Sequence, residues 1–229
     1  MKFLILGAMD EEIQTYLQQL ENKTNAQVQH LEVYSGSING HEVFVARCGI
    51  GKVAAALATG ILIQAYSPDL VINSGSAGGF APELNVGDIV VATKLIQHDV
   101  NLTHFGYELG QPSGMPAVFE MQNDWHTQAL SQVKQIGIQG MQGLIISGDA
   151  FIGTDEQSAT LMTQFPNAVA VEMEGAAIAQ VCHILKTECL VIRAISDHAN
   201  KASTMTFEEY LPLAAKHSAQ IVLGLIQNH

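Results

Sequence analysis

Strand-like and helix-like segments alternate along this 229-residue chain, and that alternation predicts an α/β fold. Hydrophobic residues make up 48% of it and charged residues only 14%, which is apolar material enough for one sizeable core. No linker, repeat or low-complexity tract divides the sequence. We therefore expect a single domain over 1–229, with a mixed, mostly parallel central β-sheet flanked by helices.

Residues 2–7 form an apolar strand run. A helix follows over 11–21, because Ile13, Tyr16, Leu17 and Leu20 recur at i, i+3, i+4 and i+7. Runs 28–36 and 41–48 read as a hairpin around Asn39-Gly40, a pair that favours the tight turn. Residues 51–66 are apolar nearly all round, the pattern of a buried helix. Strands at 69–74 and 88–98 lead into a polar, Gly- and Pro-containing loop over 99–123. A helix at 124–137, strands at 141–147, 168–173 and 189–195, and helices at 155–164 and 174–186 continue the alternation. The last segment opens on Thr206-Phe-Glu-Glu209, a capping-box spacing. It then repeats Tyr210, Ala214, Ile221 and Leu225 on a helical period, with Pro212 expected to kink the helix or mark its first turn.

Twenty-two acidic residues against ten basic ones give a net charge of −12. Such a chain offers no electrostatic footprint for nucleic acid or an anionic membrane surface. Cys48, Cys182 and Cys189 are odd in number and lack CxxC spacing, so they read as reduced, buried thiols of a cytoplasmic protein. Asp10-Glu11-Glu12 interrupts the apolar opening too early for a signal peptide, and Gly60, Gln64 and Ser67 spoil 53–68 as a membrane span. The histidines lack metal-ligand spacing, so no metal is expected.

In open α/β sheets ligands sit beyond the carboxyl ends of the strands, which directs attention to a few segments. Gly49-Ile50-Gly51-Lys52-Val53-Ala54 meets the loose dinucleotide pattern, but the strand that follows ends on Asn73-Ser74 with no acidic residue; a tight strand-to-helix turn is the simpler reading. Ser74-Gly75-Ser76-Ala77-Gly78-Gly79 suits a ligand cradle and a structural turn equally. In Asp10-Glu11-Glu12, helical projection sends Glu11 to solvent and leaves Asp10 and Glu12 beside the apolar stripe. Glu172 and Glu174 interrupt an otherwise apolar stretch, and Arg193 stands in the middle of an apolar strand. A buried charge of that kind needs a partner, for which Glu12, Glu172 and Glu174 are the candidates. Asp197 at the strand end reads as a turn residue or a functional acid.

These segments, with Gly7-Ala8-Met9-Asp10-Glu11-Glu12, Gly87-Asp88-Ile89-Val90-Val91, Ser147-Gly148-Asp149-Ala150-Phe151-Ile152 and Arg193-Ala194-Ile195-Ser196-Asp197, occur in one order and spacing. In that set the chain resembles the 5′-methylthioadenosine/S-adenosylhomocysteine nucleosidases of the purine nucleoside phosphorylase superfamily. The resemblance implies hydrolysis of an N-glycosidic bond of adenine nucleosides, with no cofactor, in a homodimer. It implies Asp197 as general acid to the purine, oriented by Ser196, and Glu12 as base for water, helped by Arg193. Met173 and Glu174 would hold the ribose hydroxyls; Phe151 and Ile152 would read the purine edge; Ser76, Gly78 and Met9 would line the sugar and base region, with Phe207 packing on the nucleoside. Leu102 and Phe105 would reach the neighbouring subunit's 5′-thio pocket. Segment 111–115 departs from the family's proline placement, which leaves tail selectivity open.

The chemistry suits these residue types. Cleaving an N-riboside builds positive charge on the sugar while the purine leaves as an anion unless it is protonated, so the site wants an acid on one side and negative charge on the other. We expect desolvation and neighbouring carboxylates to keep Asp197 protonated while Glu12 stays ionised. A phosphorylase would instead gather arginines around a phosphate dianion, and this chain has only Arg47 and Arg193. A nucleoside-binding sensor would need the glycine segments but no converging carboxylates.

Overall fold

The computed structural model describes residues 1–121, 124–198 and 207–229. Its ten strands form one mixed sheet. In chain order these are β1 (Lys2–Gly7), β2 (Glu21–Val28), β3 (Leu31–Ile38), β4 (His41–Arg47), β5 (Leu70–Gly79), β6 (Ile89–Gln97), β7 (Phe119–Glu120), β8 (Gly140–Ser147), β9 (Ala168–Glu172) and β10 (Glu188–His198). Six helices cover them: α1 (Asp10–Gln19), α2 (Lys52–Tyr66), α3 (Trp125–Gln135), α4 (Asp155–Gln164), α5 (Gly175–Leu185) and α6 (Phe207–Gln227).

Strands run β10-β6-β8-β9-β5-β1-β4-β3-β2, and β10 also pairs with β5, so five strands close into a ring from which β1, β4, β3 and β2 extend. Parallel pairing joins β4, β1, β5 and β10 in succession, and also β6, β8 and β9; antiparallel pairs seal the ring and build the outer β2-β3-β4 meander. Alternation along β1 sorts its side chains: Phe3 and Ile5 pack with α1, α3 and α6, whereas Leu4 and Leu6 pack with α2 and α5. A third cluster, with Phe80, Ile146, Leu161 and Phe165, lies under α4.

Most expected elements stand where the periodicity puts them, and α4 has the expected bounds. Asn39 and Gly40 turn the β3-β4 hairpin with φ of 49° and 78°. Three readings change. The segment 21–28 is a strand, although it carries no apolar alternation. Residues 74–79 are neither turn nor loop but the continuation of β5. Helix α2 buries Ala55, Ala58, Thr59, Leu62 and Ile63 yet leaves Val53 and Leu57 exposed, because none of the described residues covers that face. Pro212 lies inside α6, past its first turn, where its missing N–H leaves the carbonyl four residues earlier without its helical donor. The Thr206 capping-box position falls outside the described residues.

Candidate active site

The site forms where the sheet divides. Along one edge β5 pairs with β1 as far as Asn73, and then with β9 only at Gly78 and Gly79. Between those registers that edge of β5 has no described strand beside it, while β10 pairs along the other edge, and Ser76 would be left with a buried, unpaired N–H. Glu12 fills the gap: its Oε1 accepts from Ser76 N at 2.9 Å and from Ser76 Oγ at 3.2 Å.

Local structure brings Glu12 there. It is the third residue of α1, and its Oε2 turns back to accept from the N–H groups of Ala8 (2.7 Å) and Met9 (3.2 Å), the helix-side half of a capping box. Four donors thus hold a carboxylate that is 1% exposed. Gly75 leaves the room, since a Cβ there would collide with Glu12 Oε1 and Arg193 Nη1.

Arg193 on β10 is fully buried, and its Nη2 donates to Asn73 Oδ1 at 2.6 Å, to Glu174 Oε2 at 3.3 Å and to Glu172 Oε2. Its ion-pair partners are therefore Glu172 and Glu174; Glu12 makes no ion pair with it among the described residues. Glu172 also accepts from Ser147 Oγ and from the N–H groups of Glu174 (3.0 Å) and Gly175 (2.8 Å), so it closes the amino end of α5 as well. Glu174 Oε1 accepts from Gly51 N at 2.8 Å. Burial, and then the charge of Glu172, push the Glu174 carboxyl up to about 7 against the opposing pull of Arg193. The Gly49-Ile50-Gly51 turn, with φ of 85° and 92° at its glycines, thus presents its amide to a side chain of the protein itself.

On the far strand a bulge interrupts the β10–β5 register between Ile195 and Asp197. It aims Ser196 and Asp197 at the same cavity, and Ser196 Oγ donates to Asp197 Oδ1 at 2.8 Å. Phe151 and Phe207 meet edge to face across the mouth, 5.9 Å between centroids.

These elements line an open cavity of about 150 Å³. Met9, Glu12, Ser76, Gly78, Phe151, Ile152, Met173, Glu174, Ser196, Asp197 and Phe207 all line the cavity. Arg193 stands behind its wall, engaged with Glu172 and Glu174. Leu102 and Phe105 lie away from this chain's pocket, and Phe105 is 74% exposed. The sequence motifs did not reveal Gly75 as a space-giver, Ile50 in the wall, or the Gly51 amide on Glu174; the glycine-rich Ser74–Gly79 segment was the trace of the first, and the paired glycines around Ile50 were the trace of the other two. Among the described residues no group of three or more His, Cys, Asp or Glu side chains is placed to hold a metal. None of the helices described is long and apolar enough to cross a membrane.

The sequence model of the phosphorylase superfamily matches residues 2–227. The chain belongs to that superfamily. Within it, the chain is 44% identical over 228 residues to the 5′-methylthioadenosine/S-adenosylhomocysteine nucleosidase of Shewanella sediminis, covering 99% of each sequence. It is 46% identical to the nucleosidase of Anoxybacillus flavithermus, covering 97% of this chain and 96% of the relative. The crystal structure of the Colwellia psychrerythraea nucleosidase with adenine superposes with a TM-score of 0.95 at 46% identity, over 99% of this chain and 94% of that one. The Neisseria meningitidis nucleosidase with methylthio-immucillin-A gives 0.96 at 39% identity, over 100% and 99%. The nucleosidase branch suggested by the sequence motifs is thus the one to which this chain belongs.

Proposed function

We propose that this protein hydrolyses the N-glycosidic bond of 5′-methylthioadenosine and S-adenosylhomocysteine, and also of 5′-deoxyadenosine, to adenine and the 5-thioribose or deoxyribose product. The observation that carries the reading is that Glu12 and Asp197, more than 180 residues apart, line one cavity, the first from helix α1 and the second from strand β10. Relatives named for this activity, one of them solved with adenine, support it.

In this reading Asp197, oriented by Ser196, gives its proton to the departing purine, so that the base leaves neutral. Glu12, fixed by four donors, takes a proton from water as it meets the anomeric carbon. Glu174 and the Met173 segment hold the ribose hydroxyls, and the buried carboxylates supply negative charge to the cationic sugar. Phe151, Ile152 and Phe207 give the flat base an apolar berth, with Ser76, Gly78 and Met9 along the floor.

Water rather than phosphate is the nucleophile because no arginine is available for an anion. Arg47 pairs with Asp10 at 3.4 Å on the exposed rim, and Arg193 serves buried carboxylates. We further read the protein as a cytoplasmic homodimer. The exposed apolar side chains Ile50, Val53, Leu57, Phe105 and Ile184 support association with a second copy, with Leu102 and Phe105 completing the partner's pocket.

The test is kcat/KM for the three nucleosides and inosine, with products identified in the presence and absence of phosphate. Adenine release independent of phosphate is the expected result. Inosine as the best substrate, or ribose 1-phosphate as a product, would overturn the reading.

A further inference from the structure

Outside the cavity wall lies a charged cluster that the proposed chemistry does not use. It gathers residues just beyond the ends of three strands: Lys52, which opens α2 past the turn after β4, Asp99 in the turn after β6, and Asp149 in the segment after β8. Asp99 Oδ1 accepts from Lys52 Nζ at 2.5 Å and its Oδ2 accepts from the Asp149 N–H at 2.9 Å. Asp149 Oδ1 in turn accepts from the Lys52 N–H at 2.7 Å. Lys52 Nζ also reaches Gln97 Oε1 at 3.0 Å, and Gln97 donates onward to Gln180 of α5.

Each strap ends on a wall of the pocket. Ala150, Phe151 and Ile152 follow Asp149 directly; Ile50 and Gly51 precede Lys52, and Gly51 N–H holds Glu174. We propose that Asp99 is a positioning residue: by holding Lys52 and the Asp149 amide together it fixes the 150–152 wall against the turn that orients Glu174.

A carboxylate is required at that point. Two donors from different segments face its two oxygens, and an asparagine would set an NH2 against one of them. Burial pushes the Asp99 carboxyl up, but Lys52 and the Asp149 N–H outweigh it and hold it below the usual carboxylate range. The Lys52 and Asp99 side chains keep 16% and 31% of their surface exposed, so the cluster acts through geometry more than through global stability. Gly51 fits the same account: its φ is 92°, and a Cβ there would sit 2.9 Å from Asp149 Oδ1.

The inference rests on reading the cavity as a nucleoside site, and its test separates the two. Hydrogen exchange of segments 49–52 and 149–152 is measured in the wild type, in Asp99→Asn and in Lys52→Met. Exchange in both segments should rise about tenfold or more in each variant, the scale of one charge-assisted hydrogen bond, with the strands unchanged. KM for 5′-methylthioadenosine and the inhibition constant of adenine should rise about tenfold together, while kcat moves less. The double variant should lose little beyond either single one, since one clamp is broken once. Unchanged exchange in a folded single variant, or wild-type KM and adenine affinity, would overturn the proposal. If the wild type released no adenine, the proposed function would fall, and the exchange data would still decide on the clamp.

Discussion

Ser76 reaches Glu12 twice, through its backbone N–H at 2.9 Å and its hydroxyl at 3.2 Å, both on the same carboxylate oxygen. The contact stands where β1 and β9 leave the edge of β5 uncovered. One side chain therefore completes the sheet's hydrogen bonding and places a buried carboxylate at the cavity.

That double duty sets what substitution there should do. Glu12→Gln brings an NH2 group against donors on one oxygen or the other. We expect kcat to fall by about 10²–10⁴-fold, the usual worth of a general base, and Asp197→Asn to lose a comparable factor at the acid. Adenine release by purified variants measures both, and turnover within a few-fold of wild type would contradict the assigned roles.

Gly75→Ala places a methyl group against Glu12 Oε1 and Arg193 Nη1, both of them buried and held by hydrogen bonds. A loss of about 1–3 kcal/mol is expected from overpacking, together with roughly a 100-fold drop in kcat/KM from the displaced carboxylate. Denaturant melts and initial rates on the same sample check both halves.

Arg193→Met should be far more destructive to folding, because Glu172 and Glu174 would remain buried with no cation between them. About 3–5 kcal/mol of stability should go, read as a lower urea midpoint. Adding Glu172→Gln should restore part of it. A double variant no more stable than the single one would show that the ion pair is not the cause.

The pH dependence of stability follows from Glu174, whose carboxyl is raised from an ordinary 4.5 to about 7 by burial and by Glu172. Between those values the folded protein holds a proton that the unfolded chain has released, so stability attributable to this group falls as pH rises through the window and levels off above it. Thermal unfolding from pH 4 to 8 should show that decline in the wild type and a flatter profile in Glu174→Gln. Identical slopes would assign the proton elsewhere.

What the chain declares on its own are features carried by local period and local chemistry. Helix α1 is written in Ile13, Tyr16, Leu17 and Leu20, the β3-β4 hairpin in Asn39-Gly40, and the family in seven ordered motifs. Strand β2 was illegible because it is an exposed strand at the end of the sheet, paired to β3 alone, with no buried face to impose alternation on Glu21–Val28. The glycine-rich end of β5 looked like a turn because glycine signals missing space as readily as a bend, and only the neighbours reveal which. The tertiary structure alone chose Arg193's partners, since three carboxylates competed and burial with geometry awarded it to Glu172 and Glu174. It alone also put Glu12 and Asp197 around one cavity, because β5 lies between β1, which leads into α1 and Glu12, and β10, which carries Asp197.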